Sequence, residues 1–221
     1  MNVVIFGASG MIGHGVLLEA LDCPEVSTVT SIGRRRVDIE HPKLGQIVHS
    51  DFEDFEPLAD ELAGVDACFW CLGVTSAGLD EATYTRITYD FTMAAAKVLR
   101  RRSPEVCFCF VSGAGTDDSE RGRVMWARVK GKTENALAGL GVRELVVFRP
   151  AFIRARRGAR PHGALRVLYP LALLFYPLLR PLGMATSTVE VGRAMLAAAQ
   201  GLAEQRVLDS RGINQLAARL A

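Results

Sequence analysis

The first residues whose types and spacing could do chemistry are Gly7, Ser9, Gly10, Met11, Ile12 and Gly13, in the run G-A-S-G-M-I-G. Glycine at the first position permits a tight turn, at the second it lets backbone N–H groups approach an anion, and at the third it lets a helix lie close to a strand. The apolar residues Val3 to Phe6 precede the turn and read as a strand; Met11 to Leu21 follow it and read as a helix. Strand, turn and helix in that order aim a helix N-terminus at phosphate, which predicts dinucleotide binding. The selector comes at the end of the second strand, in Ile32-Gly33-Arg34-Arg35-Arg36. Folds that prefer NAD(H) place a carboxylate there to accept from the ribose 2′-hydroxyl. Arg34 and Arg35 instead suit a 2′-phosphate through charge-assisted, bidentate hydrogen bonds. The expected cofactor is NADP(H), in preference to NAD(H).

Five cysteines need a separate reading, because Cys68 and Cys71 are spaced CxxC and Cys107 and Cys109 are spaced CxC. Both pairs fall inside apolar, strand-like runs. A metal knuckle needs turn residues between its ligands, whereas Phe69-Trp70 and Phe108 are core material. The expectation is buried free thiols and no metal site.

The elements that must position these groups alternate in type. Strands are predicted at Asn2 to Phe6, Ser27 to Ile32, Gln46 to His49, Ala67 to Leu72, Val106 to Val111 and Leu145 to Phe148. Helices are predicted at Met11 to Leu21, Glu81 to Arg101, Arg123 to Leu140, Thr188 to Gly201 and Gly212 to Leu220. Several strands are apolar throughout, as suits strands covered on both faces. The rhythm predicts an α/β fold, a Rossmann-type doubly wound, mostly parallel sheet ordered 3-2-1-4-5-6, with a small helical C-terminal substrate or lid region. One domain over 1–221 is expected, with 151–187 a variable apolar lid or interface segment.

Composition bounds the partners. Apolar residues make up 49% and charged residues 23% of the 221, an ordinary globular balance. A net charge of +2 and a pI of about 8.3 argue against a nucleic-acid binder. The opening apolar run ends in glycine after four residues, so no signal segment is read and the expected location is the cytoplasm. Residues 164–182 are rich in Leu, Tyr and Phe but interrupted by Arg166, Pro170, Pro177, Arg180 and Pro181, which argues against a membrane span. A lid, a homodimer interface and a peripheral membrane contact remain open for this segment.

Taken in order, GASGMIG at 7–13, IGRR at 32–35, DFEDF at 51–55, CLG at 71–73, VKGKTE at 129–134, VFRP at 147–150 and GRAM at 192–195 carry a resemblance. The chain resembles the atypical short-chain dehydrogenases/reductases, which are epimerase/dehydratase-like, in the branch that holds the human Tat-interacting tumour suppressor. The resemblance implies that Asp51 and Phe52 flank the adenine, that Cys71, Leu72 and Gly73 line the cofactor, and that Pro150, Ala151 and Phe152 approach the nicotinamide. It also implies a catalytic tyrosine followed four residues later by a lysine. Here that pair reads Trp126 and Lys130. Lys130 lies on the same helical face and can still serve the cofactor ribose, but an indole does not titrate in a usable range. Ser112 has the only hydroxyl just after the fifth strand, while the family's hydroxyl often falls where Gly113 or Ala114 stands; ending a strand is its competing role. Tyr84 and Tyr89 could replace the lost phenol, though packing is the simpler use of both. The resemblance implies an NADP(H)-dependent oxidoreductase or epimerase-like enzyme with a degenerate site, acting on an unnamed small molecule. The alternatives are a catalytically weak NADP(H)-binding regulator or redox sensor, and an assembly scaffold.

Overall fold

The computed structural model describes residues 1–156, Tyr169 and 173–220. Its main sheet has seven strands, all parallel: β1 (Asn2–Phe6), β2 (Thr28–Gly33), β3 (Leu44–Val48), β4 (Ala67–Trp70), β5 (Cys107–Val111), β6 (Glu144–Arg149) and β9 (Val207–Asp209). Their order is β3-β2-β1-β4-β5-β6-β9. The predicted doubly wound order therefore holds, with one correction: a seventh strand extends the sheet beyond β6. Three residues are too few to carry a periodic signal. Two further short strands, β7 (Phe152–Arg154) and β8 (Ala185–Ser187), were also not expected and pair in parallel with each other.

The central strands are buried because both faces are covered. Every residue of β4 and β5, and all of β1 after Asn2, is withdrawn from solvent. On one face α1 (Met11–Asp22), α6 (Thr188–Ala199) and α7 (Ser210–Ala217) pack over Ile5, Phe69 and Cys109. On the other, α3 (Phe91–Arg102), α4 (Met125–Gly139) and the segment around Phe52 and Phe55 pack over Phe6, Trp70 and Phe108.

The single helix expected from Glu81 to Arg101 is corrected to three pieces: α2 (Glu81–Thr85), a π-helical turn (Arg86–Asp90) and α3. A single π-helical turn has no residue-type signature of its own, so the sequence does not announce it. The last helix begins at Ser210 rather than Gly212, because the Asp209 side chain accepts from Gly212 N–H and caps it. All five cysteines are free, and Cys68 and Cys107 sit fully buried on adjacent strands. Cys71 departs from the expectation of burial; it stands at the open end of β4 and is partly exposed. Within 164–182 the structure describes Tyr169 and the residues from 173 onward, including α5 (Tyr176–Leu179); 157–168 and 170–172 lie outside the described residues. Among the described residues no helix is long and apolar enough to cross a membrane.

Candidate functional site

Gly7 ends β1 with φ +81°, a left-handed conformation open to glycine. Its carbonyl accepts from Gly10 N–H at 2.9 Å, which closes the turn. A Cβ on Gly13 would stand 2.1 Å from that same carbonyl oxygen, so α1 can approach β1 this closely only through glycine. A Cβ on Gly7 would stand 2.7 Å from Leu72 N and 2.8 Å from Cys71 C, which places the CLG segment against the turn. α1 starts at Met11, after Gly10 as its N-cap, with no side-chain cap and no acidic residue in its first turn. Ser, Thr or Asp caps commonly satisfy a helix's first N–H groups; here the N-cap is Gly10, which has no side chain to do so. Ser9 is exposed at the lip of the turn.

At the end of β2, Arg34, Arg35 and Arg36 are all exposed, and among the described residues none is paired with a carboxylate. Asp51 is exposed beyond β3, where its carboxylate accepts from Glu53 N–H at 3.0 Å. The Phe52 ring instead turns into the core, edge-on to Phe55 at 5.5 Å and 5.6 Å from Phe91. Only its backbone remains for a ligand at the rim. Leu72 is partly exposed and Gly73 fully so, beside the turn.

The second half of the site gathers at the ends of β5 and β6. Trp126 and Lys130 sit one turn apart on α4. The indole lies over the loop after β5: a Cβ on Gly113 would be 3.7 Å, and on Gly115 3.6 Å, from its outer ring. Lys130 Nζ donates to the Val111 carbonyl at 3.2 Å and stands 5.5 Å from the Phe110 ring centroid. Burial pushes its ammonium down to about 8, against the opposing pull of the Glu134 carboxylate. Ala114 N–H donates to the Pro150 carbonyl at 3.0 Å, and Ala151 N–H to Ser210 Oγ at 3.0 Å, so the loop after β6 is tied to both neighbours. Phe152 opens β7 and stacks on Tyr169 at 5.9 Å.

Ser112 closes β5 inside a hydrogen-bonded chain. It is buried, and its Oγ donates to Glu134 Oε1 at 2.5 Å and lies 2.9 Å from Thr116 Oγ1. Glu134 in turn accepts from Arg149 Nη2 at 2.5 Å and from Nε at 3.1 Å. The chain thus ties α4 to the ends of β5 and β6, one helical turn below Lys130. Sequence reasoning missed Glu134, Arg149 and Thr116. The first two lie inside the VKGKTE and VFRP runs, and a carboxylate four residues after Lys130 was the available signal. Glu134→Gln is expected to remove the nearer charged partner of the Arg149 guanidinium and leave it Asp118, 3.8 Å away and mostly exposed. The cost should be about 3 kcal/mol, the low end for a broken buried pair, because Arg149 keeps some access to water. Chemical denaturation checks it; a loss near zero would mean that the pair is replaceable by neutral hydrogen bonds. Of the two tyrosines considered, Tyr84 is buried, which raises its hydroxyl's pKa, and Lys132 Nζ covers the Tyr89 ring at 4.5 Å.

No family model matches the chain. The protein HTATIP2 of Rattus norvegicus is 30% identical over 220 residues, 97% of this chain and 88% of that protein. The mitochondrial protein FMP52 of Eremothecium gossypii is 28% identical over 165 residues, 74% of this chain and 71% of that protein. Among solved structures, the Bordetella bronchiseptica enzyme WbmF in complex with NAD+ has the same fold, with a TM-score of 0.68 at 15% identity over 99% of this chain and 77% of that one. With the glycine turn, the sheet order and near-full-length similarity to HTATIP2 in agreement, this chain belongs to the HTATIP2 branch of the atypical short-chain dehydrogenases/reductases.

Proposed function

We propose that the chain, as one domain, binds NADP(H) across the carboxyl ends of β1, β2 and β4 and works as an oxidoreductase or epimerase-like protein with a degenerate proton-donor site. The observation that carries this reading is the turn from Gly7 to Gly13, where backbone contacts exclude a side chain at Gly7 and Gly13 and α1 begins behind a glycine N-cap with no side-chain cap. The residues present fit a dinucleotide. The glycine turn and α1 would hold the pyrophosphate, Cys71 to Gly73 and the Pro150 to Phe152 segment would border the nicotinamide half, and Lys130 would serve the ribose. When bound, the cofactor would supply hydride; the protein binds, orients and excludes water. WbmF, a protein of the same fold, holds NAD+ in its structure, which supports a nicotinamide dinucleotide here.

The preference for NADP(H) rests on Arg34 and Arg35, two exposed guanidinium groups that no carboxylate among the described residues pairs, where an NAD(H) site would carry a carboxylate. Calorimetric titration is expected to give tighter binding of NADPH than NADH at low salt. In Arg34→Ala/Arg35→Ala the NADPH advantage should fall by about tenfold or more, as two charge-assisted hydrogen bonds are lost, while NADH binding changes little. A wild type that prefers NADH, or a double variant with an unchanged ratio, would remove the selector. A second reading, a nucleotide-binding regulator, is favoured by one feature: the Trp126 indole fills the space over Gly113 and Gly115 where an enzyme of this family would present hydroxyls.

A further inference from the structure

We propose that the face built by Leu174 to Met184 docks on an anionic phospholipid bilayer. Leu174, Phe175, Leu178, Leu182 and Met184 are the large apolar side chains concerned, and Leu174 and Leu178 are 71% and 66% exposed. They form one surface because the backbone folds them together. Leu178 and Leu179 N–H both donate to the Phe175 carbonyl, and Met184 N–H returns to the Leu179 carbonyl at 3.0 Å. α5 is anchored from beneath by Tyr176, which is buried, 6.3 Å from the Phe152 ring and 5.1 Å from the Arg154 guanidinium. The inward face is packed, and the outward side chains are exposed. Contiguous exposed apolar side chains of this size mark an interaction surface.

Charge selects the occupant. Among the described residues the charged side chains at this edge of the apolar face are Arg180, with its partner Glu190, and Arg211. Beside the apolar side chains lies a recess of about 500 Å³ lined by Arg180, Pro181, Gly183, Arg211, Asn214 and Gln215. Gly183 lets the Arg211 guanidinium lie across its backbone, since a Cβ there would stand 2.8 Å from Arg211 Nε. Arg180 is shared with Glu190 at 2.8 Å, whereas Arg211 bonds only the Leu182 carbonyl, at 3.3 Å, among the described residues. Apolar side chains that enter the acyl boundary, with guanidinium groups at headgroup depth, are the pattern of a peripheral contact with anionic lipid. A second copy of this chain fits less well, because a two-fold contact would bring arginine against arginine.

The test is sedimentation of the full chain with vesicles of phosphatidylcholine alone and of phosphatidylcholine with 30% phosphatidylglycerol. The protein is expected to sediment with the anionic vesicles only, and to be released as salt rises, because the guanidinium attraction is screened. Phe175→Asp/Leu178→Asp should abolish sedimentation, and Arg211→Ala should weaken it by about fivefold. Both substitutions are at exposed positions, and unchanged thermal unfolding confirms that the fold survives; the salt and lipid series on the wild type stand without either variant. Inorganic phosphate added at millimolar concentration should not compete; release by phosphate at constant ionic strength would assign the recess to a soluble phosphate compound and overturn the proposal. Absence of sedimentation, equal binding to both vesicle types, or a dimer that Leu178→Asp dissociates without any vesicle binding would overturn it too.

Discussion

Gly13→Ala is expected to cost the protein both stability and its nucleotide, whereas Gly10→Ala should cost mainly the nucleotide. The added methyl at position 13 meets Gly7 O at 2.1 Å, Gly7 C at 2.6 Å and Ala8 Cα at 3.0 Å, all of them backbone atoms that no rotamer change can move. α1 must then lift from the end of β1, carrying Val16, Leu17, Ala20 and Leu21 out of register with the core they fill. Overpacking of this kind costs about 1–3 kcal/mol, and here the upper end applies because the clash is with main chain. The same displacement carries the N–H groups of Met11 to Gly13 away from the pyrophosphate. Two charge-assisted hydrogen bonds lost at about 1.5 kcal/mol each weaken binding by about 100-fold. At position 10 the methyl meets only Gly7 O, at 3.3 Å, which a small shift relieves, but it stands where the phosphate must approach. Thermal unfolding with and without NADPH separates the two. Gly13→Ala with wild-type melting and wild-type affinity would remove the turn from the binding site.

The contrast between these glycines was legible in the sequence because the motif is local: seven residues, with a strand before and a helix after, define both the turn and the close approach. That the sheet is covered on both faces was legible for a related reason, since apolar runs such as Cys107 to Val111 have no polar face to expose. What was not legible depends on contacts distant in sequence. Nothing in a run as short as Val207 to Asp209 distinguishes an edge strand from a loop; it becomes a strand because β6 leaves an unpaired edge beside it. Ser112 and Glu134 are 22 residues apart, and no spacing rule predicts that a serine at a strand end will bond a carboxylate on a helix. The Phe52 ring illustrates the same limit. Its motif position was readable, but its direction was settled by Phe55 and Phe91.

The largest gain in activity is expected from restoring two positions together, Trp126→Tyr with Gly113→Ser, and little from Trp126→Tyr alone. A tyrosine at 126 would stand one helical turn from Lys130, but a phenol acts on a carbonyl best when a second hydroxyl holds the substrate in line. Ser112 cannot be that group while its Oγ is committed to Glu134 and Thr116. Gly113 has the space: the nearest atoms to a Cβ there belong to the Trp126 indole, at 3.7 Å, and these are removed in the same variant. A recovered general acid contributes about 10²- to 10⁴-fold, so NADPH consumption by the double variant across aldehydes, ketones and sugar nucleotides should exceed wild type by about 10²-fold. Lys130→Met should erase the gain. The pH dependence carries a sign that tests the same lysine. Its amine titrates at about 8 in the folded protein against 10.5 ordinarily, so the cation that serves an anionic cofactor is lost as pH rises through about 8, and nucleotide binding weakens there. Stability responds the other way. Between about 8 and 10.5 the unfolded chain holds a proton that the folded chain has released, so the lysine's contribution to stability rises with pH across that window. Both effects should vanish in Lys130→Met. Robust wild-type turnover that survives Lys130→Met would move the chemistry away from α4. Silence in every variant while NADPH still binds would decide for the regulator, with Trp126 as the residue that closes the site.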